Sequence, residues 1–161
     1  MMGGTPSGAP AMKRYLQPAL LSLAVCLAGC ANSPRLSDPQ RLALYVDHAG
    51  APVSSMPLRG QLHGWTALGD EAVVLWTRPR EAWLVDLVGR CQDLGYATAI
   101  AVNSNFSRLQ AHSDSITPLG SMVSEVGRMP CRIRQIRPLD TAALKQAEDG
   151  LRQATLQGPG S

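Results

Sequence analysis

Gln61-Leu62-His63-Gly64-Trp65-Thr66-Ala67-Leu68, Gly69-Asp70, Ala72-Val73-Val74-Leu75-Trp76-Thr77, Arg78-Pro79-Arg80 and Glu81-Ala82-Trp83-Leu84-Val85-Asp86-Leu87-Val88 form the stretch that decides the fold. Short runs rich in β-branched and aromatic residues alternate with turn-forming residues, the pattern of an antiparallel meander. Gly69-Asp70 has the composition of a tight hairpin turn. Arg78-Pro79-Arg80 breaks the chain again, because proline cannot donate to a strand ladder. Side chains on a strand alternate, so Trp83, Val85 and Leu87 share one face while Leu84 and Asp86 share the other.

Working outward, Val53 to Leu58 reads as a weak strand compromised by Pro57, and Thr98–Asn103 pairs with Arg108–Ile116 by turning through Ser104-Asn105-Phe106. Cys131 to Arg137 is a last strand, stopped by Pro138. Arg41 to Val46 is too short for periodicity to decide between helix and strand. Asp140 is placed to cap a helix in which Leu144, Ala147 and Leu151 recur at helical spacing. The expected fold class is α+β or mainly β: a small antiparallel sheet or partly closed barrel with one C-terminal helix. It occupies a single small domain, residues 41–157, followed by a disordered tail at 158–161.

The N-terminal segment carries an address. Lys13 and Arg14 precede an apolar stretch from Leu16 to Leu27, interrupted only by Gln17, Pro18 and Ser22 and too short to span a bilayer comfortably. Its end, Leu27-Ala28-Gly29-Cys30, resembles the lipobox of bacterial lipoproteins, where small residues admit the lipoprotein signal peptidase and the cysteine thiol receives diacylglycerol. An ordinary secretory signal containing a cysteine is the alternative. The resemblance implies that residues 1–29 are an upstream extension and signal peptide, that Cys30 is the lipidation site, and that the membrane is a partner through this anchor. Ala31, standing where Asp would retain a lipoprotein in the inner membrane, implies the outer membrane with the folded domain facing the periplasm. Residues 1–11 are rich in Gly and Pro and uncharged, a composition that stays disordered, and Met12 is a second candidate start. Residues 30–40 contain Pro34 and Pro39 and read as a flexible tether.

The chain has 161 residues, 45% of them apolar and 17% charged. Its net charge of +3 falls by two when Lys13 and Arg14 leave with the signal peptide, so the basic pI is no argument for nucleic acid, and none is expected as a partner. Beyond that segment only Lys145 is a lysine. Arginine is the better fork for phosphate or carboxylate, although a GC-rich coding bias gives the same imbalance.

Of the four cysteines, Cys26 lies in the export segment and Cys30 is taken by lipid. Cys91 and Cys131 remain, and in an oxidising compartment two such thiols form a disulfide. A redox couple or half of a metal site are the alternatives, but there is no C-x-x-C and no ligand-spaced histidine pair, so no metal or other cofactor is expected. His48, His63 and His112 stand in unlike contexts. His112-Ser113-Asp114 puts His112 and Asp114 on one strand face, where Asp114 can orient the imidazole for base catalysis; the other reading is an exposed polar face. No nucleophile elbow, S-x-x-K, phosphate loop or H-E-x-x-H occurs, so no residue is assigned as catalytic. Arg132 and Arg134 project from one face and are candidates for anion binding, against the reading that they solvate an edge strand. Trp65, Trp76 and Trp83 come from adjacent expected strands and read as core.

Gly64-Trp65 before the Gly69-Asp70 turn, Trp83-Leu84-Val85 leading to Cys91, and Cys131-Arg132-Ile133-Arg134-Gln135-Ile136-Arg137-Pro138 resemble a group of short proteobacterial secreted proteins classed only as a domain of unknown function. That resemblance implies no activity. Two classes stay open: a non-catalytic envelope module that binds another protein, a polyanion or cell-wall material, and a small periplasmic enzyme built on His112 and Asp114 or on His63.

Overall fold

The meander folds with its two long strands buried on both faces. In the computed structural model, which describes residues 36–104, 107–120, 122–126 and 128–157, helix α1 (Asp38–Asp47) precedes β1 (Ser55–Pro57), β2 (Gly64–Ala67), β3 (Ala72–Arg78) and β4 (Glu81–Leu87). A 3-10 turn (Leu94–Tyr96) leads to β5 (Ala99–Asn103), β6 (Arg108–Gln110), β7 (Ser115–Leu119), β8 (Cys131–Pro138) and helix α2 (Thr141–Leu156). The segment read as a signal peptide, Cys30, the first residues of the stretch read as a tether, Asn105, Phe106 and residues 158–161 lie outside the described residues. The sheet order is β2-β3-β4-β8-β7-β5, antiparallel throughout, with β1 and β6 paired separately. It curls into a half-barrel, giving an α+β fold that is mostly β.

Gly69 makes the β2–β3 turn at φ 74°, a left-handed conformation that glycine adopts without a steric penalty. From β3, Val73 and Leu75 enter one core with Val85 and Leu87 of β4 and Ile133 and Ile136 of β8; Met56 of β1 and Leu109 of β6 close it. Ala72 and Val74 point the other way and join Ala82 and Leu84 under the helices, against Tyr45 of α1, Leu144 of α2 and Leu139 just ahead of α2. The face carrying Leu84 is therefore a second core. The three tryptophans divide between them, Trp65 and Trp83 packing on the first and Trp76 on the second.

Three expectations change. First, Arg41 to Val46 is helical and the helix begins at Asp38, inside the stretch read as tether; Ser37 and Gln40 form a capping box in which Ser37 N–H donates to Gln40 Oε1 at 2.9 Å. Second, Arg108–Ile116 is not one strand. Asp114 accepts Gln110 N–H at 2.8 Å through Oδ2, and His112 takes φ 70°, so the chain turns between β6 and β7. The partner of β5 is consequently β7, in the register Asn103↔Ser115, rather than Arg108–Gln110. Third, β8 is not an edge. One side pairs with β4 from Leu87↔Ile133 to Trp83↔Pro138. The other side serves β7 at Cys131 and Arg132, then the turn at Ile133, and then Val53, whose N–H reaches Ile136 O at 2.8 Å.

Ile136 of β8 belongs to the first core and is fully buried. Ile136→Ala is expected to destabilise the domain by about 3 kcal/mol in denaturant titration, because transfer and cavity terms add at a site that cannot collapse. Leu151→Ala, on an exposed stretch of α2, should change stability by less than about 1 kcal/mol. A second outcome concerns Tyr45, whose hydroxyl donates to Glu148 Oε1 at 3.1 Å across the two helices. Burial, reinforced by the negative charge and hydrogen bond of Glu148, pushes the phenol up from 10.0 to about 12. The folded protein thus holds this proton more tightly than the unfolded chain, so its contribution is intact below pH 10 and is lost as the pH rises through 12. Stability measured between pH 10 and 12 should fall more steeply in the wild type than in Tyr45→Phe.

Candidate functional site

The elements converge at the end of the half-barrel where β4 stops and β8 starts. Cys91 and Cys131 are joined there by a disulfide with Cα atoms 5.6 Å apart, as expected from the sequence. Cys91 N–H donates to Asp70 O at 2.6 Å and Leu87 N–H to Glu71 O at 2.8 Å, tying the end of β4 to the β2–β3 turn. Arg90 pairs with Asp70 at 2.7 Å over the same join. Val88 N–H donates to Arg132 O at 2.9 Å, which continues the β4–β8 ladder up to the disulfide. The loop between β7 and β8 is pinned to the 3-10 turn by Asp93, whose carboxylate accepts both the hydroxyl and the N–H of Ser124. Those two bonds hold the Asp93 carboxyl below its ordinary range.

A cleft of about 660 Å³ opens at this end, bounded by Asp38 and Arg41 of α1, Asp70, Glu71, Arg90 and Tyr96. Its charges largely satisfy one another: Arg41 lies 3.5 Å from Asp38, and Arg90 holds Asp70. A second cleft of about 470 Å³ follows the open seam between the edge strands β2 and β5, floored by Leu58, Leu62, Trp65, Ile100 and Val102. Unlike the first, it is lined by no charged side chain among the described residues. Among the described residues, no group of three His, Cys, Asp or Glu side chains is placed to hold a metal ion.

The sequence-level candidates are not brought together. His112 and Asp114 do not share a strand face; they occupy the turn between β6 and β7, with His112 exposed and Asp114 buried. His112 N–H donates to Ile133 O at 2.8 Å, and Ile133 N–H donates to Asp114 O at 3.1 Å, so this pair serves to dock the turn on β8. His63 is exposed ahead of β2, its N–H extending the ladder to Trp76 O at 2.8 Å. His48 turns its Nδ1 to Leu44 O at 2.8 Å at the end of α1. Arg132 and Arg134 are both exposed and form no ion pair among the described residues. A bulge intervenes between them: Leu87 pairs with Ile133 and Asp86 with Gln135, leaving Arg134 as the extra residue and breaking simple alternation.

Asp86 and Arg137 form a pair that sequence reading did not connect. Arg137 Nη2 donates to Asp86 Oδ2 at 3.2 Å, with both side chains mostly buried. Arg137 Nε and Trp83 Nε1 are buried without hydrogen-bond partners among the described residues. A buried ion pair with an unsatisfied donor contributes little net stability, yet removing one member strands the other charge. The signal for it was an aspartate inside an otherwise apolar strand.

The model of a family described only as of unknown function, DUF6491, matches residues 12–155. No curated protein and no solved structure matches the chain.

The disulfide closes a loop of 40 residues, and on chain-entropy grounds contributes about 4 kcal/mol. Replacing both Cys91 and Cys131 by Ser should lower the melting temperature by well over ten degrees if that whole value is expressed. In the oxidised native protein neither thiol should react with a maleimide; labelling of both would show the bond to be absent.

Proposed function

This chain belongs to the DUF6491 family, and from that premise we propose that it is a cell-envelope lipoprotein whose domain is a non-catalytic binding or interaction module. The observation that carries the reading is Leu27-Ala28-Gly29-Cys30 at the end of a short apolar run behind Lys13-Arg14. The Cys91–Cys131 disulfide supports it, because such bonds persist in oxidising compartments outside the cytosol. Ala31 favours the outer membrane, with the domain facing the periplasm. The non-catalytic reading is supported by the separate duties of His63, His112 and Asp114, of which Asp114 is committed to backbone partners. Arg132 and Arg134, free of carboxylates among the described residues, suit an envelope polyanion or an acidic protein surface.

Intact-mass analysis and detergent phase partitioning test the anchor. The wild type should carry a diacylglyceryl mass on Cys30 and enter the detergent phase. Cys30→Ser should lose the acyl mass and either remain as the uncleaved precursor or partition into water. A wild-type product that begins elsewhere and bears no lipid would end this reading.

A further inference from the structure

We infer that the disulfide-clamped end of the half-barrel is a membrane-contacting surface, on which the domain rests against the bilayer that holds its anchor. The inference builds on the lipoprotein reading and specifies which part of the domain meets the lipid.

Five large apolar side chains, Val88, Tyr96, Met122, Val126 and Met129, are between 58% and 71% exposed. They come from three separate segments, and the contacts already described bring those segments to one end. Val88 follows β4 and is bonded to Arg132. Tyr96 ends the 3-10 turn, whose Asp93 holds Ser124 of the β7–β8 loop. That loop carries Met122, Val126 and Met129, and Met129 O lies 3.6 Å from Cys131 Sγ. Single exposed apolar residues are ordinary, but several gathered at one end of a small domain mark a contact surface. Methionine and tyrosine suit a bilayer interface in particular, the first because it adapts its shape and the second because its ring is amphipathic. Arg132 and Arg134 lie beside this end, exposed and without carboxylate partners among the described residues, and match lipid phosphates. The opposite end is unlike it: the β3–β4 turn presents Arg78, Pro79 and Arg80, all exposed.

Chain length identifies the bilayer as the occupant. Helix α1 starts at the clamped end, where Asp38 lines the same cleft as Asp70, Arg90 and Tyr96. Between Cys30 and Leu36 there are six peptide steps, which span at most about 22 Å when fully extended. Strand β8 alone has eight residues and measures roughly 26 Å. Turning the far end of the barrel to the bilayer would consume the whole reach of the tether. The clamped end, by contrast, meets the lipid with the tether slack.

The test uses the full lipidated chain with Val126→Cys or Arg80→Cys, spin-labelled and reconstituted into vesicles of phosphatidylethanolamine and phosphatidylglycerol. With Cys30 acylated and Cys91 bonded to Cys131, the introduced thiol is the only one available to the label. The inference expects position 126 to become more accessible to oxygen than to a water-soluble nickel chelate, and position 80 to show the reverse. Equal aqueous accessibility at both positions, in protein whose acyl mass is confirmed, would overturn the membrane surface and leave the anchor standing. Absence of the acyl mass, seen also as labelling of Cys30, would overturn both.

Discussion

Strand β8 hydrogen-bonds along both edges, and the rest of the domain is arranged by that requirement. A central strand leaves its N–H and C=O groups no access to water, so each must find a protein partner. β4 supplies one side along its length. No single strand supplies the other: β7 takes the first residues, the His112–Asp114 turn takes Ile133, and the segment around Val53 takes Ile136. The last of these continues to Gly50, whose N–H reaches Pro138 O at 2.8 Å. The sheet therefore forks at β8, with β7 and β5 leaving at one end and the β1–β6 pair leaning on the other. The Cys91–Cys131 bond fixes the strand at the point where the fork begins.

Two cores exist because β3 and β4 carry apolar residues at consecutive positions, so both faces of the sheet need cover there. The β1–β6 pair provides it on one side through Met56 and Leu109, and the helices provide it on the other through Tyr45 and Leu144. The bulge at Arg134 lets Ile133 and Ile136, an odd and an even position, enter the same core. Strict alternation would have turned one of them toward the helices.

The parts of this arrangement legible in the sequence are those fixed by neighbours along the chain. Gly69-Asp70 specifies a turn by its own backbone preferences, and the runs on either side alternate as strands do. Asp140 announces α2 by capping it, accepting N–H bonds from Ala142 and Ala143. The Ser37–Gln40 capping box was an equally local signal, overlooked because Pro39 reads as tether. What sequence could not supply depends on residues far apart in the chain. The break between β6 and β7 is enforced by Ile133, and Asp86 finds Arg137 only once the β4–β8 register is set. The apolar end has no periodicity at all, since its members come from three segments that meet only after folding. Cys91 and Cys131 were an exception, because the other two cysteines were already assigned and the remaining pair had one choice.

The disulfide clamp and the two-sided bonding of β8 together predict a sheet that opens only as a unit. Native-state hydrogen exchange tests that most directly, by following three amides that bond to β8 from separate elements: Val88, Val53 and Gly50. If β8 unites the domain, all three exchange at the rate of global unfolding, with equal sensitivity to denaturant. Val53 and Gly50 exchanging by a local opening, while Val88 stays protected, would show that the β1 side is an independent flap and that β8 does not unite the fold.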